Sequence, residues 1–444
     1  MKEKVKLTNE QKLAKRKWKK TWPPFYLIYY VANKLIIQRP FKPTVIIKDK
    51  LPKKGAALVI YNHMSRVDHS LFQNASWPRR INILAGYIEF FRSHLHWAFK
   101  HNQVIPKKIY SNDMVSLKAM KSIIKDQKGV VAFSPEGTSS IFGNGQPIVP
   151  GTAHFLKHYG VPVYFLTIKG TYLVQNKVDN DFRKGRSECE LELMFTPDDL
   201  KTLSNDEITD RIHEKLRFDD YEWNKEKHYR YEPAEGTGMA HNLSHILYRC
   251  PKCHTLFSTV EDKDDIKCSH CGLSAHMDNY YNFTVNDEEF KNITKPTDWA
   301  DLERIDVIRE IRKDKDFFVE YPVILGGIPK YEWIKNHETS VPIGEGIFRV
   351  DHSGVSFKGK KDGEDYSFHL TYKEIYTLAL ETDAHNFDLY INGVFHEFTP
   401  KNPQETIYLL HLVQEMHRLH VNTFKNFKWN DYMYEGLEDV KEEA

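Results

Sequence analysis

Short apolar runs separated by amphipathic segments dominate the first 170 residues. Each run is bounded by turn-forming residues, as is typical of a buried strand; the runs are 45–47, 57–60, 81–85, 130–133 and 161–167. Helical periodicity occupies 114–124 and 153–158 between them. Strands that alternate with helices assemble into one sheet covered by helices. We therefore predict an α/β fold with a central, mostly parallel sheet flanked by helices.

A different pattern follows a flexible joint that begins at 236–238. An amphipathic helix is predicted over 297–312, and a second one over 403–421. Between them lie short strands at 347–350, 355–358, 366–370, 375–380, 386–391 and 395–399. The Asn392-Gly393 dipeptide is typical of a type I′ hairpin. This order predicts a small β-barrel with a C-terminal helix, which resembles pleckstrin-homology (PH) and related lipid-binding modules in architecture only. The alternative is a barrel that mediates protein contacts.

Two pairs of cysteines separate these regions. The spacing CxxC-x14-CxxC is typical of a zinc ribbon with a closed structural Zn²⁺ site; the predicted ligands are Cys250, Cys253, Cys268 and Cys271. Acidic residues between the two pairs argue against nucleic-acid binding. Cysteines in metal-binding pairs suit a reducing compartment, and the N-terminus has no signal-peptide pattern. We therefore expect a cytoplasmic protein.

The N-terminus is strongly basic, although the whole chain has a formal charge of only +2. Residues 1–22 contain nine Lys or Arg against two Glu, a net charge of +7. The mixed apolar and aromatic stretch 25–37 is too short to span a bilayer. It predicts an interfacial segment, with Trp18, Trp22 and the tyrosines at headgroup depth and the lysines on anionic lipid. The alternative is a core helix behind a solvated basic arm.

The first candidate for chemistry is a histidine that follows the apolar run 57–60. Asp68 lies five positions after His63. An ideal helix would separate these two side chains, so they can touch only if the chain turns before any helix begins. A histidine with an acidic partner on one ring nitrogen is suited to act as a general base. In the alternative interpretation, Asp68 caps a helix and His63 is an ordinary loop residue.

A second polar turn follows the run 130–133. Its sequence is Ser134-Pro135-Glu136-Gly137-Thr138. Gly137 would let the backbone approach a ligand closely, and Thr138 offers a hydroxyl donor. Two such turns at strand ends of one sheet predict a shared cleft.

Together, the motifs Asn62-His63-x-Ser65-x-x-Asp68 and Phe133-Ser134-Pro135-Glu136-Gly137-Thr138 resemble the glycerolipid acyltransferase family. Members of that family acylate lysophosphatidic acid and related lysophospholipids, and their first and third blocks are NHxSxxD and FPEGTRS. The segments 104–108 and 160–165 match the second and fourth blocks, so the resemblance covers about 45–175.

The resemblance implies a role for each matching residue. His63 would remove the proton from the acceptor hydroxyl, and Asp68 would orient the imidazole and stabilise the imidazolium. The hydroxyl would attack acyl-CoA or an acylated carrier protein without an acyl-enzyme intermediate. The implied substrate-binding residues are Asn62, Ser65, Lys107, Lys108, Glu136, Gly137 and Thr138.

The chain departs from the family pattern at the acceptor site. Ser139 stands where the third block has an arginine, and the second-block arginine is Lys107 or Lys108. Lysine binds a phosphate as a point charge and lacks the bidentate fork. The acceptor headgroup is therefore left open. Cys189 is flanked by two glutamates that would raise the pKa of its thiol, so we expect it to be structural.

These observations predict an acyltransferase that binds peripherally to the inner face of a membrane. The alternative is a lipid-binding scaffold that keeps the fold without turnover. A metal-dependent hydrolase using His63, His69 and Asp68 lacks a further ligand near them. The predicted units are an interfacial segment (1–40), the acyltransferase domain (41–235), the zinc ribbon (241–285), a helical or extended linker (286–340), the PH-like domain (341–425) and an acidic tail (426–444).

Overall fold

The computed structural model describes residues 6–111, 113–424, 427 and 431–436. The predicted tail 426–444 therefore lies largely outside the described residues. The N-terminal half contains the helices α1 (Asn9–Ala14), α2 (Pro23–Ala32), α3 (His69–Ser76), α4 (Ser93–His101), α5 (Met114–Lys121), α6 (Thr152–Tyr159), α7 (Thr171–Val174), α8 (Pro197–Thr202), α9 (Asn205–Leu216) and α10 (Asp220–Lys227). Its strands are β1 (Thr44–Ile47), β2 (Ala57–Tyr61), β3 (Ile81–Gly86), β4 (Ile105–Lys107), β5 (Val130–Phe133), β6 (Val163–Lys169) and β7 (Glu188–Phe195).

These strands form one seven-stranded sheet in the order β1-β7-β6-β2-β5-β3-β4. Every neighbouring pair is parallel except β6 and β7. All five residues of β2 are buried, as expected for a strand covered by helices on both faces. The predicted α/β fold with a largely parallel sheet is confirmed.

The register of the two central strands determines where the polar turns meet. Ala57 pairs with Val130 and Ile60 with Phe133, so β2 and β5 end side by side. The turn that follows each strand therefore leaves the same edge of the sheet. This edge holds the site described below.

The N-terminal segment packs along the edge of this domain. α2 continues into a π-helical turn, Asn33–Ile37. Trp18 is buried against Phe90 and Tyr26 is also buried, so neither lies where a membrane headgroup could reach it. This corrects the predicted headgroup position of Trp18. The large apolar side chains that do face outward are Trp22, Leu27, Ile28, Val31, Leu35 and Ile36.

Within the described residues, every helix is too short or too polar to cross a membrane.

The cysteine-rich unit is a four-stranded antiparallel sheet in the order β11-β10-β9-β8. Its strands are β8 (Thr259–Asp262), β9 (Asp265–Cys268), β10 (Ser274–Met277) and β11 (Phe283–Val285).

The C-terminal unit begins with α11 (Pro296–Lys313) and ends with α12 (Pro403–His420). Between them lie β12 (Phe318–Gly327), β13 (Val341–Asp351), β14 (Gly354–Lys361), β15 (Glu364–Leu370), β16 (Ala379–Leu380), β17 (Phe387–Ile391) and β18 (Val394–Pro400). They form an antiparallel sheet in the order β15-β14-β13-β12-β18-β17-β16. We call residues 318–420 the β-domain.

The β-domain differs from the sequence interpretation in two places. The predicted linker 286–340 contains β12, a full strand that pairs with both β13 and β18. The predicted strand 375–380 is reduced to the two residues of β16. The predicted hairpin is present, since Asn392 and Gly393 both have positive φ values, 51° and 76°. Closure of the sheet into a barrel and its PH-like character stay predictions.

Candidate active site

A histidine–carboxylate pair lies directly after β2. The chain turns through 62–65 and forms one 3₁₀ turn, Arg66–Asp68, before α3 begins. This turn brings His63 Nδ1 to 2.9 Å from Asp68 Oδ2. The two side chains therefore meet in the way that the sequence required.

Asp68 is held by hydrogen bonds on both carboxylate oxygens. Oδ2 also accepts from the backbone N–H of Met64 at 2.8 Å and of Ser65 at 2.9 Å. Oδ1 accepts from the Thr171 hydroxyl at 2.6 Å. The carboxylate thus caps the 3₁₀ turn and orients His63 at the same time. Since Asp68 is 0% exposed, its position is fixed by these partners rather than by water.

The other ring nitrogen of His63 remains available. The side chain is 26% exposed and lines a cavity of about 1940 Å³. Within the described residues, Nε2 has no hydrogen-bond partner. A base held through Nδ1 with Nε2 free can take a proton from a ligand in that cavity.

Glu136 supports the histidine loop from the neighbouring strand end. Its carboxylate accepts from the backbone N–H of His63 at 2.8 Å and from that of Gln146 at 2.9 Å. Burial raises the pKa of Glu136 to about 8. Because both oxygens contact the protein's own backbone, the geometry gives Glu136 a role in holding the site together.

Gly137 and Thr138 continue this turn along the cavity. Gly137 has φ +83°, and a Cβ at this position would lie 2.9 Å from a ring carbon of Tyr110. Only glycine meets both constraints. Thr138 and Ser139 line the same cavity as His63. The backbone N–H of Ser140 donates to the His63 carbonyl at 2.6 Å, which joins the two turns directly.

The remaining residues of the first motif act within the protein. Asn62 exchanges two hydrogen bonds with the backbone of Ile168, at 2.6 and 2.7 Å. The Ser65 hydroxyl donates to the Gln175 carbonyl at 2.7 Å. Both side chains are buried, so they tie β2 to the β6–α7 region beside it.

The two lysines of the second block differ in accessibility. Lys107 lines the cavity, and its Nζ donates to the carbonyls of Lys108 and Ser111, each at 2.8 Å. Lys108 turns toward the β-domain, where its Nζ donates to the Gly393 carbonyl at 2.6 Å. Of the two, Lys107 is the one placed to meet a ligand.

The cavity has a volume of about 1940 Å³ and two chemically distinct regions. One region is apolar and includes Leu95, Phe99, Leu117, Met120 and Phe155. The other lies where the β-domain covers the sheet edge, and residues of β12, β16 and β18 form its wall. The cavity that contains His63 is therefore completed by the C-terminal half of the chain.

Sequence reasoning missed three residues of this site. Thr171 anchors Asp68, Tyr110 packs over Gly137, and Lys177 lies beside Ser139 with its Nζ 3.2 Å from the Ser139 hydroxyl. Each is distant along the chain from its partner and belongs to no motif. Only the tertiary fold brings them to the site.

Cys189 has no part in this arrangement. It is buried in β7, and burial raises the pKa of its thiol to about 12. The prediction gave the flanking glutamates as the reason, but desolvation is the larger cause, followed by the charge of Asp68.

The four paired cysteines form a separate candidate metal centre. Their sulfur atoms all lie within 4.8 Å of one another; the set is Cys250, Cys253, Cys268 and Cys271. Two Sγ···Sγ distances are 3.5 and 3.7 Å. Zn–S bonds of about 2.3 Å in a tetrahedron place sulfur atoms roughly 3.8 Å apart, so this donor set fits Zn²⁺.

The match to a family model supports an acyltransferase assignment for the N-terminal domain. Residues 42–169 match the family model described as Acyltransferase, and this segment contains both the His63 and Glu136 motifs. A search among curated proteins finds no match. Among solved structures, the chain is similar to the 1-acyl-sn-glycerophosphate (LPA) acyltransferase PlsC from Thermotoga maritima, with 18% identity and a TM-score of 0.36, covering 46% of this chain and 78% of that one. The family match and the histidine–carboxylate geometry point to the same sheet edge.

Proposed function

We propose that the protein transfers an acyl group from acyl-CoA or an acylated carrier protein to a hydroxyl of a lysophospholipid such as 1-acylglycerol 3-phosphate. The observation that carries this proposal is the 2.9 Å contact between His63 and Asp68, which leaves Nε2 facing a large cavity. This pair lies within the segment that matches the Acyltransferase model.

The reaction is a single displacement at the thioester carbonyl. Nε2 of His63 accepts the proton of the acceptor hydroxyl while the hydroxyl oxygen attacks the carbonyl carbon of the thioester. The carbon–sulfur bond then breaks, and the thiolate of the donor takes the proton from the imidazolium. Asp68 stabilises the imidazolium in between, since its carboxylate lies against Nδ1. General-base help of this kind contributes on the order of 10²–10⁴-fold, and the cavity supplies positioning.

The shape of the cavity supports a lipid substrate. Its apolar region suits an acyl chain, because apolar surface is removed from water when the chain enters. Lys107 lines the cavity and can attract a phosphate as a point charge. A lysophospholipid combines these two features.

We also propose that the protein reaches its lipid substrates by binding peripherally to an anionic membrane surface. Leu35 and Ile36 are each 68% exposed on the turn that follows α2. Trp22 and Ile28 add to the same apolar segment, and the basic N-terminus precedes it. Adjacent basic and apolar side chains are typical of helices that lie in the membrane interface. The β-domain, as a PH-like module, would add a second lipid contact, and the zinc ribbon would be structural.

The test is an acyl-transfer assay with purified full-length protein, acyl-CoA or acylated carrier protein, and a panel of lysophospholipids, read by mass spectrometry. We expect turnover by the wild type and a loss of at least about 10²-fold in His63→Ala. Undiminished activity in His63→Ala would remove this residue from the mechanism. Lipid binding without turnover across the whole donor panel would favour the non-catalytic scaffold instead.

A further inference from the structure

Lys177 is a buried cation at the junction of the two domains, where the charges of Glu381, Glu89 and Asp383 act on it without a salt-bridge contact. It is 8% exposed and lines the cavity that contains His63. Its Nζ donates to the Ser139 hydroxyl at 3.2 Å and to the Leu380 carbonyl at 2.9 Å. Within the described part of the chain it forms no salt bridge. An ammonium has three N–H donors, so one remains for a ligand.

The position of Lys177 relates it to the catalytic pair. Ser139 is adjacent to Ser140, whose N–H donates to the His63 carbonyl. Lys177 therefore contacts the residue that precedes Ser140, at the position where Ser139 stands in place of the arginine of the third block. A buried ammonium is costly unless anionic groups compensate it. The nearby carboxylates supply part of this compensation, and the remaining N–H of Lys177 can donate to an anionic group of a ligand in the cavity.

A cluster of carboxylates lies on the β-domain side of the same junction. Asp388 and Glu397 are directly opposite each other on β17 and β18, and both are buried. Glu381 follows the carbonyl that Lys177 contacts, and it lines the cavity together with Glu397. Like charges directly opposite each other in a sheet are destabilising. Lys177 and Arg92 compensate part of this negative charge, and protons or a further cation can compensate the rest.

Glu397 is the member of this cluster that points to a ligand. It is 3% exposed, and its Oε1 accepts from the Ser340 hydroxyl at 2.6 Å. Its Oε2 is buried and makes no hydrogen bond of ordinary geometry among the described residues, and the Thr339 hydroxyl lies beside the carboxylate. Burial and the neighbouring Glu381 raise the pKa of Glu397 to about 7. A cation in the cavity beside Glu397 would stabilise the ionised carboxylate.

Lys177 and the carboxylate cluster together restrict the chemistry of the ligand. A phosphate monoester, such as the headgroup of 1-acylglycerol 3-phosphate, would compensate Lys177 but would leave the carboxylates without a cationic partner from the ligand. A metal ion is a poorer fit, because Glu381, Asp388 and Glu397 are not among the described clusters whose ligand atoms converge within 4.8 Å. A headgroup with one anionic and one cationic centre compensates both sides.

We propose that this junction subsite, formed by Ser139, Lys177, Glu381 and Glu397, binds the headgroup of an acceptor lysophospholipid that carries both a phosphate and an ammonium group. The proposal rests on the proposed acyl transfer and specifies its acceptor. Lys177 and Ser139 contact the phosphate, while Glu381 and Glu397 of the β-domain contact the ammonium. The β-domain thereby determines acceptor specificity.

The protonation of Lys177 gives this subsite a pH dependence. Desolvation lowers the pKa of Lys177 to about 8 in the free cavity. The charged groups that act on it are Glu381, Arg66, Glu89 and Asp383. A bound phosphate requires the protonated amine, so KM for phosphate-bearing acceptors should rise as pH increases above about 8. In Lys177→Met this rise should be absent.

The first test compares headgroups without any chemistry. Full-length wild-type protein is titrated by calorimetry with glycerophosphoethanolamine, glycerol 3-phosphate and glycerophosphoglycerol. We expect glycerophosphoethanolamine to bind at least about tenfold more tightly than the other two, because only it satisfies both sides of the subsite. Equal or weaker binding of glycerophosphoethanolamine would overturn the proposal. Binding needs no turnover, so a failure of acyl transfer is distinguishable from a failure of the headgroup assignment.

The second test uses variants in the acyl-transfer assay. Glu397→Gln is nearly isosteric and should lower kcat/KM for lysophosphatidylethanolamine about tenfold, with lysophosphatidylglycerol unchanged. Lys177→Met should lower kcat/KM for both acceptors, mainly through KM, and Ser139→Arg in the same chain should restore part of the loss. Glu364→Gln, an exposed change on β15, is the matched control.

Equal losses with both acceptors in Glu397→Gln would show a merely structural role and overturn the ammonium contact. Thermal denaturation of each variant reports whether it folds. If Lys177→Met does not fold, Glu397→Gln and the wild-type titrations decide the question.

Discussion

Replacement of Asp68 by asparagine tests how much the negative charge beside His63 contributes to catalysis. The asparagine oxygen can take the place of Oδ2 and keep the hydrogen bonds from Met64 N–H, Ser65 N–H and His63 Nδ1. Its amide group then faces the Thr171 hydroxyl, which can turn to accept. The geometry of the turn is preserved, and the negative charge is lost.

The loss can be estimated from the structure. Two unit charges 2.9 Å apart attract by about 6 kcal/mol at an effective dielectric constant of about 20. The transition state carries only part of the imidazolium charge, so roughly 4 kcal/mol is lost. Since about 1.4 kcal/mol corresponds to a tenfold change in rate, we expect kcat to fall by about 10³-fold. Weaker hydrogen bonds to a neutral acceptor lower the free energy of unfolding by about 1–3 kcal/mol.

The assay is acyl transfer under saturating acceptor, with thermal denaturation of the same samples. Thr171→Val is the matched control, because it removes a hydrogen bond to Oδ1 and keeps the charge. We expect it to lose no more than about tenfold in kcat. If Asp68→Asn lost less than tenfold while His63→Ala lost activity fully, the charge of Asp68 would have no catalytic role.

Three further predictions concern the buried carboxyl of Glu136, the cluster of four cysteines and the exposed apolar segment that contains Leu35. Folding raises the pKa of Glu136 from 4.5 to about 8, so the stability that this buried carboxyl contributes is fully present below pH 4.5 and is lost as pH rises through about 8. Glu136→Gln should therefore flatten the fall of Tm between pH 5 and 8, and an unchanged slope would contradict this. Elemental analysis should find one Zn²⁺ per chain in the wild type, and Cys253→Ser should lose it and unfold at lower temperature, whereas Cys189→Ser should keep it. Leu35→Asp should weaken binding to anionic vesicles about tenfold or more, since an exposed leucine contributes about 1.5–3 kcal/mol when a membrane buries it. Val260→Asp, an exposed change on β8, is the control, and equal losses in both variants would refute the interfacial segment.

Much of the fold could be predicted because its signals are local. The apolar runs 57–60 and 130–133 became β2 and β5 almost unchanged, and the Asn392-Gly393 turn formed as expected. β7 was not among the predicted strands, although glutamates alternate with its apolar residues as in a half-buried strand. β12 was assigned to the linker 286–340 because its exposed positions interrupt the apolar pattern. Strands that are half exposed or lie far from their partners therefore gave the weakest signals.

The contacts of the site show the same difference between local and distant partners. The contact of His63 with Asp68 spans five residues and could be predicted from the turn that it requires. The contact of Lys177 with Ser139 spans thirty-eight residues and depends on the loop after α7. Glu136 was predicted to shape the acceptor site, yet its carboxylate contacts the backbone of His63. A motif identifies which residues matter, but only the fold shows whether they face the ligand or each other.

The position of the β-domain gives a physical reason why acceptor specificity can change without a change at the general base, His63. His63 is held entirely by groups of the α/β domain, namely Asp68 and the Glu136 carboxylate. The opposite wall of the cavity belongs to the β-domain, whose Leu380 carbonyl and Glu397 carboxylate lie at the junction. Changes on that wall can alter the headgroup that fits without moving the imidazole. Because Lys177 bonds to both domains, any displacement of the β-domain would also remove one of the contacts that hold this cation beside Ser139.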